Sequence, residues 1–364
     1  MSPTAKCLRN GSIDVLRLLF SLIVVSHHAS YLPGAEGNVI PLYGGYTSVE
    51  FFAILSGYLL SASAWKKSSF DSRSIAGDTL LELKRKLLSV YPLYLLSYFL
   101  LAIIDLAFLK GKSLSEMLEF WAFSAGEWTL LGMAGFPHEP LFQYGFPMWY
   151  FSALLLSVLV LYPLMRRYKY IFPILFAPII ALFGYGYMFV SYGHLSHIYH
   201  WTGYFYSGIL RVVCGVSVGN IVFHVVRKVK YRGLSDQERF VCSCFQGCIL
   251  FFILWCMEHY HTSYRDFLFI FAFALLIGLA FISVDGLRLF HHSCFHFCGN
   301  LSKTIYISHS MLLWIPSFIW PLSWKKQYLL YMGMAIILGV IFISVEKQLL
   351  RLLYGLKSYC LSKK

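Results

Sequence analysis

The chain has 364 residues, 58% of them hydrophobic and only 13% charged, with a net charge of +13, whereas a soluble domain carries charge at about a quarter of its positions. That composition excludes a soluble globular protein and predicts an all-α, multi-pass membrane protein, one membrane domain over 1–364 with no separate soluble module. Retention of Lys and Arg on the cytoplasmic face, with attraction to anionic membrane lipid, accounts for the basic excess, and no nucleic-acid partner is needed.

Apolar runs of about 20 residues, the length that crosses the hydrocarbon, predict a bundle of ten transmembrane helices at 13–32, 46–64, 87–109, 148–165, 170–191, 203–226, 240–257, 266–284, 301–320 and 327–350. The first, RLLFSLIVVSHH, sets Arg17 at one end and His27 and His28 at the other. A helical residue advances about 100° and 1.5 Å, so His28 ends roughly 20° past three turns and about 16 Å from Arg17, on its face, while His27 stops about 80° short. Polar groups are costly in lipid, so that face is expected to line a cavity. The alternative is an arginine snorkelling to inner headgroups and a histidine closing the outer helix end.

The second run starts at Glu50, on the side where the first run ends, so Glu50 is expected to meet His28 and orient its ring. An interfacial carboxylate in outer water is the alternative. Before the third run stand Lys66, Lys67, Arg73, Lys84, Arg85 and Lys86. Arg17, Arg85 and Lys86 form an inner cluster suited to phosphate groups, whereas positive-inside bias alone explains Lys66, Lys67 and Arg73. Segment 110–147 holds LEFWAFSAGEWTLLGMAGF, interrupted by Glu127 and glycines. A crossing there would invert every later loop, so an interfacial or re-entrant helix in an outer loop is expected.

Arg211, within YFYSGILRVVCGVSVGN, is expected deep in the sixth span. An unpaired guanidinium is expensive there, so a partner is expected, either a buried carboxylate or a carbonyl or phosphate group of a bound ligand. The tract HHSCFHFC carries His291, His292, Cys294, His296 and Cys298, but its spacing fits no zinc pattern, and juxtamembrane packing without metal is expected. His309, midway along the ninth span, is either a second cavity-lining group or a packing histidine. The nine cysteines lie mostly in spans or towards the cytoplasm, so disulfides are not expected. Arg166, Arg167 and Lys169, then Arg227, Lys228, Lys230 and Arg232, then Arg288 and finally Lys357, Lys363 and Lys364 continue the basic series on alternate boundaries. Both termini are therefore expected in the cytoplasm.

Four motifs recur in one order. They are Arg17 with His28, SVEFFAILSGYLL with Glu50, Ser56 and Gly57, PMWYFSALLL with Trp149 and Tyr150, and GNLSKTIYISHSMLL with Ser302, Tyr306 and His309. This arrangement resembles the membrane acyltransferases of family 3, which O-acylate cell-surface and secreted glycans. The resemblance implies a bacterial inner-membrane O-acetyltransferase with acetyl-CoA, or another acyl-CoA, as donor and a polysaccharide or lipid-linked glycan as acceptor, working beside glycan-assembly partner proteins. It implies His28, Glu50 and His309 as catalytic residues, Arg17, Arg85, Lys86 and Arg211 as donor-binding residues, and the other motif positions as structural ones. There are two departures from the family pattern. Lys86 and Ser89 stand where an Arg-x-x-Arg pair is usual before Tyr91-Pro92, and Lys303 replaces a common aromatic residue. The chain ends soon after its last span, so a fused extracellular domain is not expected.

The chemistry agrees with the resemblance, because a sugar hydroxyl needs a base to attack a thioester and a neutral histidine can serve near physiological pH. His28 is the candidate. A secondary transporter of a glycan precursor or small anion would also bury Arg, Glu and His, and a non-catalytic scaffold for polysaccharide synthesis would tolerate their loss.

Overall fold

The structure is a computed structural model that describes residues 10–67, 71–136, 144–283, 293–313 and 322–362. Among these residues it is helical, with no strand. The principal elements are α1 (Gly11–His28), α2 (Ser48–Trp65), α3 (Ser72–Ile103), α4 (Leu114–Phe123), α5 (Ala125–Trp128), α6 (Trp149–Arg167), α7 (Ala177–Tyr192), α8 (Ser207–Arg232), α9 (Asp236–His259), α10 (Leu268–Ser283), α11 (Ser293–Ser308), α12 (Ser310–Leu313) and α13 (Trp324–Ser362).

Nine helical segments among the described residues are long and apolar enough to cross a membrane. They match nine of the ten expected spans. The remaining one, 301–320, corresponds to α11 and α12 as far as Leu313, beyond which 314–321 lie outside the described residues. The third segment runs over Ser72–Leu109, well before the expected start at residue 87. Asp71 caps it by accepting from the Arg73 and Ser74 amides, and helix-favouring Leu, Glu, Lys and Arg carry it on past the apolar stretch. In segment 110–147, α4 covers about 15 Å, too short to cross. Its capping box joins Ser113 to Glu116, and Lys112 with the Ser113 amide and hydroxyl holds the Glu116 carboxyl down at about 2. His138, Arg288, His291, His292 and Lys364 lie outside the described residues.

The closest packing joins α2 to α8. A Cβ on Gly57 would fall 2.1 Å from the Val216 carbonyl oxygen, and one on Gly219 would fall 2.0 Å from that of Ile54. Only glycine permits two backbones to approach so closely. Phe20, Phe51 and Phe273 fill the space where α1, α2 and α10 meet. The result brings the C-terminal end of α1, the N-terminal ends of α2 and α8, and the junction of α11 with α12 to one end of the bundle. At the opposite end, buried Arg166 and Lys67 share the carboxylate of Asp78, at 2.6 and 2.8 Å.

Candidate active site

A cavity of about 460 Å³ lies where these helix ends converge, lined by His27, His28, Tyr150, Tyr199, Arg211, Tyr306 and further aromatic side chains. His28 is the last residue of α1. Its Nδ1 lies 2.8 Å from Nε2 of His309. The two rings are parallel to within 4°, with centroids 5.1 Å apart. With the nitrogens so close, the rings lie edge to edge rather than face to face, as an in-plane lone-pair acceptor requires.

The next bond along fixes the protons. Nδ1 of His309 lies 2.9 Å from the Ile305 carbonyl oxygen, which can only accept, so the hydrogen-bond network assigns the His309 proton to Nδ1 and leaves Nε2 as acceptor. His28 therefore donates from Nδ1. Its Nε2 retains a lone pair on a ring that lines the cavity.

Glu50 does not orient His28. It accepts from Arg211, with Nε–Oε1 at 2.7 Å and Nη2–Oε2 at 2.5 Å, and both residues are 1% exposed. Glu50 sits in the first turn of α2, and the close α2–α8 approach turns it towards α8 instead of α1. Arg211 Nη2 also donates to the Tyr46 carbonyl at 2.9 Å, and the guanidinium lies 5.8 Å from the centre of the Trp149 ring. Its Nη1 makes no hydrogen bond among the described residues, and the residue lines the cavity. Arg211 thus lies four residues from the start of α8, not deep in its span, and at the His28 end, apart from Arg17, Arg85 and Lys86. Of the partners expected for it, the buried carboxylate is present.

The motif residues brace this arrangement. Ser56 and Tyr150 share a hydrogen bond of 3.1 Å, and Tyr306 donates to the Pro147 carbonyl. Ser302 donates to the Arg17 carbonyl at 2.9 Å, fixing α11 against α1. Trp149 lies beneath Arg211. Arg17 reaches Asp14 at 3.4 Å, and its charge acts on Lys86. Arg85 is exposed and bridges Glu82 at 2.6 Å, beside a second cavity of about 370 Å³ lined also by Lys67, Asp78, Lys84 and Tyr162. No cluster of three metal-type ligands occurs among the described residues.

Three features were not expected from sequence. His27 lines the same cavity as His28, with Nδ1 2.7 Å from the Tyr43 carbonyl. Tyr46 donates to Asp266 at 2.6 Å, and Asp266 also accepts the Leu195 amide at 3.0 Å. Tyr46 carried a usable signal, since it stands one helical turn before Glu50. The third is Tyr199, from the loop between α7 and α8, where nothing in the pattern set it apart.

A family model for an acyltransferase domain matches residues 10–345, which include every residue of this site. The chain belongs to acyltransferase family 3. Comparisons with curated proteins and with solved structures give no match. This family 3 protein is accordingly an acyltransferase, and its apolar helices make it a multi-pass membrane protein.

Proposed function

We propose that this protein transfers an acetyl group from cytoplasmic acetyl-CoA to a hydroxyl of an envelope or exported glycan across a bacterial inner membrane, with His28 as general base. The single observation that carries this reading is the His28–His309 hydrogen bond, because it leaves a basic nitrogen on a ring that lines the same cavity as Arg211. As the acceptor oxygen bonds to the thioester carbonyl carbon, its proton moves to His28 Nε2. The C–S bond then breaks, and the proton passes to the departing thiolate. His309 accepts from the charged ring throughout and keeps it in position.

Arg211 supplies the electrostatic part. Glu50 fixes the guanidinium by two bonds, which leaves Nη1 to donate to the oxygen that gains charge in the transition state. At the other end of α1, Arg17 with Lys86 and Arg85 serves the donor's phosphates. The rise of the helix puts Arg17 about 16 Å from His28, a reach suited to the linear pantetheine arm. The aromatic lining of the cavity suits the apolar faces of a sugar ring.

The test uses purified protein in vesicles, with labelled acetyl-CoA on the Arg85 side and glycan on the His28 side. Formation of an alkali-labile glycan ester supports the reading. Uptake of acceptor with no ester would support a transporter instead.

A further inference from the structure

Trp65, the last residue of α2, stands at the end of the bundle opposite the His28 cavity and is ringed by cations. The Arg227 guanidinium lies 3.7 Å from the centre of its ring, and the Lys169 ammonium 5.6 Å. Tyr170 and His224 meet it edge-on at 5.4 and 5.3 Å. Beside this group a groove of about 580 Å³ runs between the start of the Phe172–Tyr192 segment and the end of α8. Its lining divides by chemistry. Ile174, Ile221 and Val225 form an apolar part, and Arg227, Lys228 and Tyr231 a polar rim.

Among the described residues, no carboxylate lines this groove. Neither Arg227 nor Lys228 forms an ion pair among the described residues, whereas nearby Arg166 and Lys67 share Asp78. Lys169, between two spans, donates to the backbone carbonyls of Trp65 and Lys67, and its pKa is lowered by burial and by the charge of Arg166. Ile174 is 80% exposed and Tyr231 93%, so the groove is open at the side. Tryptophan and tyrosine mark the headgroup level of a membrane protein, and the basic end faces the cytoplasmic leaflet.

We propose that this groove is a binding site for an anionic glycerophospholipid of that leaflet, its phosphate held by Arg227 and Lys228 and its acyl chain laid along Val225, Ile221 and Ile174. Arginine suits this role because its planar donors match a phosphate, and stacking on Trp65 holds the guanidinium in place while its edge stays free. A zwitterionic lipid of the same chain length fits the apolar part equally but brings no net charge to the rim. The site is separate from the His28 cavity and does not depend on the acyl-transfer reading.

Native mass spectrometry of the purified protein, equilibrated with equal amounts of phosphatidylglycerol and phosphatidylcholine, tests this. The wild type should retain phosphatidylglycerol in preference, and Arg227→Gln with Lys228→Gln should lower that preference about tenfold. Lys325→Gln with Lys326→Gln, the same charge change at the other end, should leave it intact. If the first pair cannot be recovered, Arg227→Gln alone should show a smaller loss in the same direction, together with a smaller rise in Tm on adding phosphatidylglycerol. Equal retention by the wild type and the Arg227 variants would overturn the proposal. So would displacement of the lipid by adenosine 3′,5′-bisphosphate, which would mark a site for soluble phosphates.

Discussion

Glu50 and Arg211 meet in a two-point contact, 2.7 and 2.5 Å, with both side chains closed off from solvent. Their positions are 161 residues apart, and the pair fixes the entry of α2 against that of α8 at the wall of the cavity. Breaking such a pair leaves a buried charge without its partner, whereas replacing both removes the burden together.

Glu50→Leu alone should therefore destabilise the protein by about 3–5 kcal/mol, read as a fall in Tm in detergent. Glu50→Leu with Arg211→Met should recover much of that loss while remaining inactive, because the guanidinium is needed in the cavity. Recovery of activity in the double variant would show that the pair is a structural clamp only.

His309 should behave as a positioning residue. His309→Ala removes the acceptor for His28 Nδ1 and should cost on the order of 10²-fold or more in kcat, with little change in KM. His309→Gln offers an amide oxygen to the same proton and should be milder. Equal kinetics for the two variants would contradict the proton assignment.

The glycine contact gives a prediction about packing. Gly57→Ala places a methyl group against the backbone of α8, so it should destabilise by about 1–3 kcal/mol and misalign Glu50 with Arg211. Gly186→Ala, where nothing lies within 4 Å of the added Cβ, should be neutral. Thermal unfolding of both variants in one detergent makes the comparison.

Arg17→Ala should raise the apparent KM for acetyl-CoA more than that for the glycan, since a lost cation weakens phosphate binding, and Arg17→Lys should restore it in part. An unchanged donor KM in both would leave the inner cluster with a topological role alone.

Much of this was legible in the sequence, for physical reasons that also explain the gaps. Apolar runs announce spans because lipid tolerates little else, and among the described residues nine are present, all but the early-starting third close to where the pattern put them. The phase of α1 brought out His28. It misjudged His27, because a single angle treats the cavity as a narrow line, whereas this one is wide enough to take both histidines of the last turn. Glu50 was matched with the wrong partner for a different reason. Spacing within one helix cannot tell which neighbouring helix a side chain faces, and that choice was made by Gly57 and Gly219, which bring α8 against α2. The same gap hid Asp266, which reaches Tyr46 across 220 positions.

The most direct measurement is ester formation by purified His28→Ala and His27→Ala at matched expression and insertion. His27 and His28 line one cavity, and each engages its Nδ1, but only His28 is bonded to a second imidazole. His28→Ala should lose on the order of 10²–10⁴ in rate, the usual contribution of a positioned proton acceptor. His27→Ala should keep activity within about tenfold of the wild type, as a lining residue would. Full activity in His28→Ala, or a loss in His27→Ala with His28→Ala spared, would contradict the assignment of His28 as the base.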